Sequence, residues 1–181
     1  IAHSQEKQID LKEITVISSP RIELPFSENS RTIQVISKEE IIESPANNVA
    51  ELLQQVAGID IRRRGVSGMQ ADLYIRGGGF DQTLLLIDGI KVEDAQTGHH
   101  TMNMALPIEV IERIEIIKGA ASRVYGQNAF TGAINIITSK VVENVVSLNI
   151  ESGSYEQKNA SVTISRKYDD QSILLHYSNN S

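Results

Sequence analysis

His99 and His100 are the adjacent side chains that invite a metal or haem-iron reading, because imidazole is the commonest metal ligand. Neighbours on an extended loop point apart, however, and no carboxylate or third histidine is spaced to finish a site. Polar contact with a ligand or a surrounding wall is the expected role, and no metal is expected. Gly77-Gly78-Gly79 could in principle cradle a phosphate, but Phe80-Asp81 follows where such a loop needs Lys-Ser/Thr. No Ser/His/Asp order and no paired carboxylates in a pocket-like context support catalysis, so the chain is not expected to be an enzyme and no catalytic residue or cofactor is assigned.

The elements that would position such residues follow from the patterning. The chain has 181 residues, a net charge of −6 and no cysteine, so it can form neither a disulfide nor a thiolate zinc site. Its tightest basic cluster, Arg62 to Arg64, is too small to make nucleic acid an expected partner. No run approaches the roughly 18 apolar residues of a membrane-spanning helix. Ile1, Ala2, His3 and Ser4 before Gln5 look like the tail of a secretory signal.

Residues 1–30 are expected to be a flexible tail, polar and broken by Pro20 and Pro25, with one β-branched island from Ile14 to Ile17. Order begins at Arg31 with a strand through Ile33 and Val35, then a helix capped by Ser37 with Glu40 completing a capping box. A second helix is expected with Ser44 as N-cap, Pro45 in its first position and Val49, Leu52, Leu53 and Val56 on one face, ended by Gly58. Strands are predicted around Ile59 and Ile61, Leu73 and Ile75, Leu84 to Ile87 with the Asp88-Gly89 turn, Ile114 to Ile117, and Ala133 to Ile137. Pro107 opens a short helical turn, and a small helical segment is expected through Tyr125 and Gly126. Residues 31–140 therefore read as a compact α+β domain with a small mixed sheet and short helices.

From 141 to 181 the period becomes two. Val146, Leu148 and Ile150, then Ala160, Val162 and Ile164, then Ile173, Leu175 and Tyr177 alternate with polar neighbours, and only Leu174 breaks the rule. Periodicity alone fits either a transmembrane β-barrel wall or the edge of a soluble sandwich.

Two stretches carry a family likeness. Ile75-Arg76-Gly77-Gly78-Gly79-Phe80 followed by Leu85 to Ile90, and the run from Ile111 through Tyr125-Gly126 to Gly132-Ala133-Ile134-Asn135-Ile136-Ile137-Thr138, resemble the plug domain of the TonB-dependent outer-membrane transporters. The positions that match the plug signature are Arg76, Gly77, Asp88, Gly89, Arg113, Glu115, Gly119, Tyr125, Gly126, Gly132 and Asn135. The usual Arg-Gly-Pro is Lys118-Gly119-Ala120 here, which bears on the local turn only.

The resemblance implies a plug over 31–140 followed by the first antiparallel strands of an incomplete outer-membrane barrel over 141–181, a wall that needs about 22 strands to house a plug. It implies active import of a scarce bulky nutrient across a bacterial outer membrane, with outer-membrane lipid around the wall. It also implies a TonB box, matched by Glu13, Ile14, Thr15, Val16 and Ile17, which would add as a strand to the periplasmic C-terminal domain of TonB. Ligand is expected at two polar, glycine-punctuated loops: 63–72, with Arg64, Ser67, Met69 and Gln70, and 94–104, with Gln96, Thr97, His99, His100 and Asn103. Within the family the tail motif, the 94–100 loop and the short turn at Gly153-Ser154-Tyr155 resemble the cobalamin (vitamin B12) branch. Siderophore and haem receptors share the plug, a surface lipoprotein is a conceivable partner, and a truncated plug that binds without transporting is the competing class.

Overall fold

A computed structural model of the chain describes residues 15–19, 22–25, 33–64, 71–93, 102, 104, 106–119, 128–141, 143–152, 158–169 and 171–180. Two short strands come first, β1 (Thr15–Ser19) and β2 (Ile22–Pro25), paired antiparallel as a sheet of their own. Composition predicts no order here, but the β-branched run from Thr15 to Ile17 finds a strand partner only a few residues downstream.

Strand β3 (Ile33–Ile36) leads into α1 (Lys38–Glu43). The expected capping box is present: Glu40 N donates to Ser37 Oγ, and Ser37 N donates to Glu40 Oε2 at 2.7 Å. The second helix starts later than its sequence suggests. Ser44 is not its N-cap; its N–H closes α1 on the Glu40 carbonyl, and α2 (Val49–Gln54) is capped by Asn48, whose Oδ1 accepts from Glu51 N. Glu51 also accepts from Asn47 N at 2.8 Å, so the N-terminus that the sequence suggested at Ser44 is built four residues on.

Next come β4 (Ile59–Arg63) and β5 (Ala71–Ile75), an antiparallel pair, then a 3-10 turn at Phe80–Gln82. Strands β6 (Thr83–Ile87) and β7 (Ile90–Lys91) form a hairpin on Asp88 and Gly89, with φ of 50° and 79°, the backbone a two-residue turn of the primed type requires. After Pro107 and a 3-10 turn at Ile108–Val110 lie β8 (Ile111–Lys118) and β9 (Gly132–Thr138). The helical segment expected through Tyr125 and Gly126 lies outside the described residues.

The main sheet has the order β3-β8-β9-β6-β7, with β6 and β9 parallel and the other pairs antiparallel. One face packs Ile114, Ile116, Ile134 and Ile136 against Val49, Leu52 and Leu53 of α2 and against Ile59, Ile61, Leu73 and Ile75 of the second sheet. Burying each such side chain contributes about 1.5–3 kcal/mol. The other face holds a smaller cluster of Ile33, Leu84, Leu86, Ile117, Ala129 and Ala133. This is the α+β domain with a small mixed sheet that the sequence implies.

Leaving aside the β1–β2 pair, a third sheet follows, a meander of β10 (Val145–Ser152), β11 (Lys158–Tyr168) and β12 (Gln171–Asn180). Its register aligns Val146 with Ile164 and Leu175, and Leu148 with Val162 and Tyr177. This apolar face is uncovered: Leu148 is 63%, Ile150 75% and Tyr177 70% exposed, and none joins the core around Leu84 to Leu86. The other face is polar, with rows Ser147-Thr163-His176 and Asn149-Ser161-Ser178, and Ser161 is buried. Contiguous exposed apolar surface of this kind needs an apolar solvent or a partner, and alternation of this length is what a membrane strand uses. Among the described residues no helix is long and apolar enough to cross a membrane.

Candidate functional site

Three of the motif residues, Asp88, Gly89 and Asn135, share one hydrogen-bonded knot around the β6–β7 turn. Asp88 N donates to the Ile136 carbonyl at 2.8 Å, while the Asp88 carboxylate accepts from Thr138 N at 2.8 Å and from Thr138 Oγ1 at 2.7 Å. Gly89 N donates to Asn135 Oδ1 at 3.0 Å. Asn135 is buried and stands between Glu115 of β8 and Leu86 of β6 in the register. Glu115 is only 1% exposed, and its charge is answered by Arg113 Nε at 2.9 Å; a buried carboxylate without such a partner would be strongly destabilising.

The end of the same sheet where β6 and β9 begin and β8 finishes is tied in a similar way. Phe130 N, Thr131 N and Thr131 Oγ1 all donate to the Gln82 carbonyl, and Gly119 N donates to the Thr131 carbonyl. Arg76 and Gly77 both take left-handed backbone, with φ of 51° and 77°, and Arg76 N closes on the Gly58 carbonyl at 2.9 Å. Asp88, Gly89, Asn135, Glu115 and Arg113 thus lie toward the β6–β7 turn, while Gly119 and Gly132, with Arg76 and Gly77 nearby, lie toward the opposite end of the strands. Tyr125 and Gly126 lie outside the described residues.

Of the residues named as ligand contacts in the two loops only Arg64 is described; it is exposed at the end of β4. Ser67, Met69, Gln70, Gln96, Thr97, His99, His100 and Asn103 lie outside the described residues. The frame beneath the first loop is visible. Arg63 Nη1 donates to Glu51 Oε1 at 3.2 Å, while its Nε and Nη2 are buried and have no partner among the described residues. Burial alone would raise the Glu51 pKa, but hydrogen bonds from Asn47, Asn48 and Arg63 and the charge of Arg63 overcome it and hold this carboxyl below its ordinary value. Of the tail motif, Thr15, Val16 and Ile17 lie in β1, and Glu13 and Ile14 are outside the described residues.

Lys38, Gln82, Thr131 and Thr138 were not singled out by sequence. Lys38 Nζ donates to the carbonyls of Glu109 and Ile111, each at 2.6 Å, fastening α1 to the start of β8. Burial lowers its pKa, against the pull of Glu109, Glu112 and Glu39. Beside this fastening a cavity of about 580 Å³ opens between the α1–α2 connection and the polar face of the third sheet, lined by Ser44, Asn47, Leu106, Asn149, Asn159 and Ser161 among others.

A sequence profile described as the TonB-dependent Receptor Plug Domain matches residues 25–133, more than half of the chain. A protein of Vibrio vulnificus named vitamin B12 transporter BtuB is 35% identical over 175 residues, covering 95% of this chain and 28% of the relative. The chain thus spans a little over a quarter of that relative's length. Among solved structures, the pyoverdine outer-membrane receptor FpvA of Pseudomonas aeruginosa superposes with a TM-score of 0.72 at 18% identity, over 91% of this chain and 24% of that one. The alcaligin outer-membrane receptor FauA of Bordetella pertussis gives a TM-score of 0.72 at 16% identity, over 91% and 29%.

Proposed function

Because the chain belongs to the TonB-dependent receptor family of the Gram-negative outer membrane through its plug domain, we propose that it takes part in energised import of a bulky nutrient, cobalamin, across that membrane. The observation that carries this reading is the juxtaposition of two unlike units. A plug frame knotted at Asp88, Gly89 and Asn135 precedes a sheet whose polar face includes a buried Ser161 and whose apolar face is bare. Such a sheet is suited to a wall with lipid on one side and a plug on the other.

Cobalamin is chosen over a siderophore because the 35% identity to a vitamin B12 transporter runs over 95% of the chain, whereas the siderophore receptors resemble it at 16–23% identity, which speaks to fold alone. In this reading the loops 63–72 and 94–104 meet the ligand, and Glu13 to Ile17 add as a strand to the C-terminal domain of TonB, so that backbone hydrogen bonds carry the load. No catalytic group or cofactor is needed, since the work is mechanical.

The test uses the intact receptor in a cobalamin auxotroph. Wild type should bind cyanocobalamin and import it; Val16→Pro, which removes a strand donor, should bind at the cell surface as before and import nothing. Tight binding of a ferric siderophore or haem with no cobalamin binding would overturn the substrate, and undiminished uptake by Val16→Pro would overturn the coupling segment.

A further inference from the structure

The bare face of the third sheet ends in charge. On β11 the residues of that face are Lys158, Ala160, Val162, Ile164, Arg166 and Tyr168, because the ladders to β10 and β12 run in regular register and alternate residues share a side. Three apolar residues are thus bracketed by a cation at each end. Neighbouring strands fill the same band with Val146, Leu148 and Ile150 and with Ile173, Leu175 and Tyr177. From Lys158 to Arg166 is about 27 Å along a strand. The tilt of a barrel strand reduces this to about 19–22 Å across the membrane, and two long side chains reaching outward carry the charges to the margins of an apolar band about 25 Å tall. An arginine on the lipid face is costly at the bilayer centre and nearly free at its margin, so Arg166 marks where the hydrocarbon stops.

That margin is the periplasmic one. Only residues 169 and 170 separate β11 from β12 beside Arg166, whereas 153–157 separate β10 from β11 at the other end, and outer-membrane barrels keep their short turns on the periplasmic side. The backbone here is pinned: Lys167 N donates to Asn144 Oδ1 at 2.7 Å, and Ser165 Oγ donates to the Glu143 carbonyl at 2.9 Å. Arg166 is exposed and stands opposite Ile173, with Tyr168, 64% exposed, next on the same face. Asp169, the nearest described carboxylate along the chain, sits past the end of the ladder in the turn, with φ of 43°. A tyrosine ring suits the headgroup level, and a planar guanidinium fork fits two oxygens of a phosphate.

We propose that Arg166, with Tyr168 beside it, is a docking site for the phosphate of a glycerophospholipid in the inner leaflet of the outer membrane. It holds at a fixed depth the end of the wall where the chain arrives from the plug, since Val145, the first residue of β10, pairs with Ser165. The inference rests on the lipid-facing reading of this sheet.

The test titrates the intact receptor, in mild detergent, with dioleoyl phosphatidylglycerol and counts bound lipid by native mass spectrometry, after heat-resistant mobility has shown each variant to be folded. Arg166→Gln should weaken the tightest phospholipid about fivefold, what one cation at an anionic membrane surface is worth. Arg166→Lys, which keeps the charge without the fork, should recover part of the loss. Lys167→Gln removes the same charge from the polar face and should change nothing. No loss in Arg166→Gln, or an equal loss in Lys167→Gln, overturns the site. A parallel titration with lipopolysaccharide separates the leaflets: if Arg166→Gln weakens that lipid and spares the phospholipid, the inner-leaflet occupant is wrong. Leu148→Arg keeps the two readings apart. If it reaches the outer membrane folded as well as wild type, the sheet does not face lipid and both readings fall. If it is depleted while Arg166→Gln binds phospholipid like wild type, only the phosphate site falls.

Discussion

An ideal Cβ at Gly132 would sit 2.4 Å from the Ile117 carbonyl oxygen and 2.9 Å from Ile75 Cδ1. The first contact is with backbone inside the β8–β9 ladder, where Lys118 pairs with Gly132, so neither strand can move aside without losing register. Gly132→Ala should destabilise the plug by about 1–3 kcal/mol, the usual result of overpacking, read as a lower urea midpoint for loss of plug structure in the purified receptor. Asp88 and Gly89 differ from this case: nothing lies within 4 Å of a Cβ at Gly89, and the constraint there is its φ of 79°. Asp88 and Gly89 were legible as a turn dipeptide, whereas Arg113, Glu115, Gly132 and Asn135 were marked by the family resemblance and not by local chemistry. Their partners were not. Thr138 meets Asp88 across 50 positions and Thr131 meets the Gln82 carbonyl across 49, and Thr and Gln at such places carry no local pattern that would single them out.

At the scale of elements, the strands of the third sheet make the sharpest prediction. Leu148 lies on the bare face, paired with Val162, while Ser147 on the opposite face pairs with Thr163. Leu148→Arg should cost about 2–4 kcal/mol if this face meets the middle of a bilayer and reduce the heat-resistant folded receptor recovered from outer membranes. Ser147→Arg, turned the other way, should be far milder in the same assay. The period-two stretches were readable because alternation is a local property, and so was the capping box at Ser37 and Glu40. The start of α2 was misread because Ser44-Pro45 is a sound N-terminal signal that α1 had already used for its own closure. The β1–β2 pair was missed for a related reason: prolines and polar composition argue against order, whereas pairing depends on a second short strand whose register no local pattern reveals.

Taken whole, the molecule sets two surfaces of opposite character against each other. The plug frame hides its apolar side chains around Ile114, Ile116, Ile134 and Ile136, and the third sheet displays its own outward. The main sheet also has a mechanical order. β3 is an edge strand with one neighbour, joined to β8 by the pairs Ile33–Ile117, Gln34–Ile116, Val35–Glu115 and Ile36–Ile114. Tension entering from residues before Ile33 meets those four pairs before it reaches the interior strands. The next fastening along the chain is Lys38, with its two hydrogen bonds to the carbonyls of Glu109 and Ile111. Pulling the receptor in single-molecule force spectroscopy from a handle ahead of Ile33 should therefore give a first, short release ending near Lys38. In Lys38→Met that first release should lengthen to include α1, with the force of the later events unchanged. A plug built this way behaves as a seam with a stitch knotted a few residues in: a tug undoes the hem, the knot arrests the run, and the cloth stays whole and ready to be closed again when the thread goes slack.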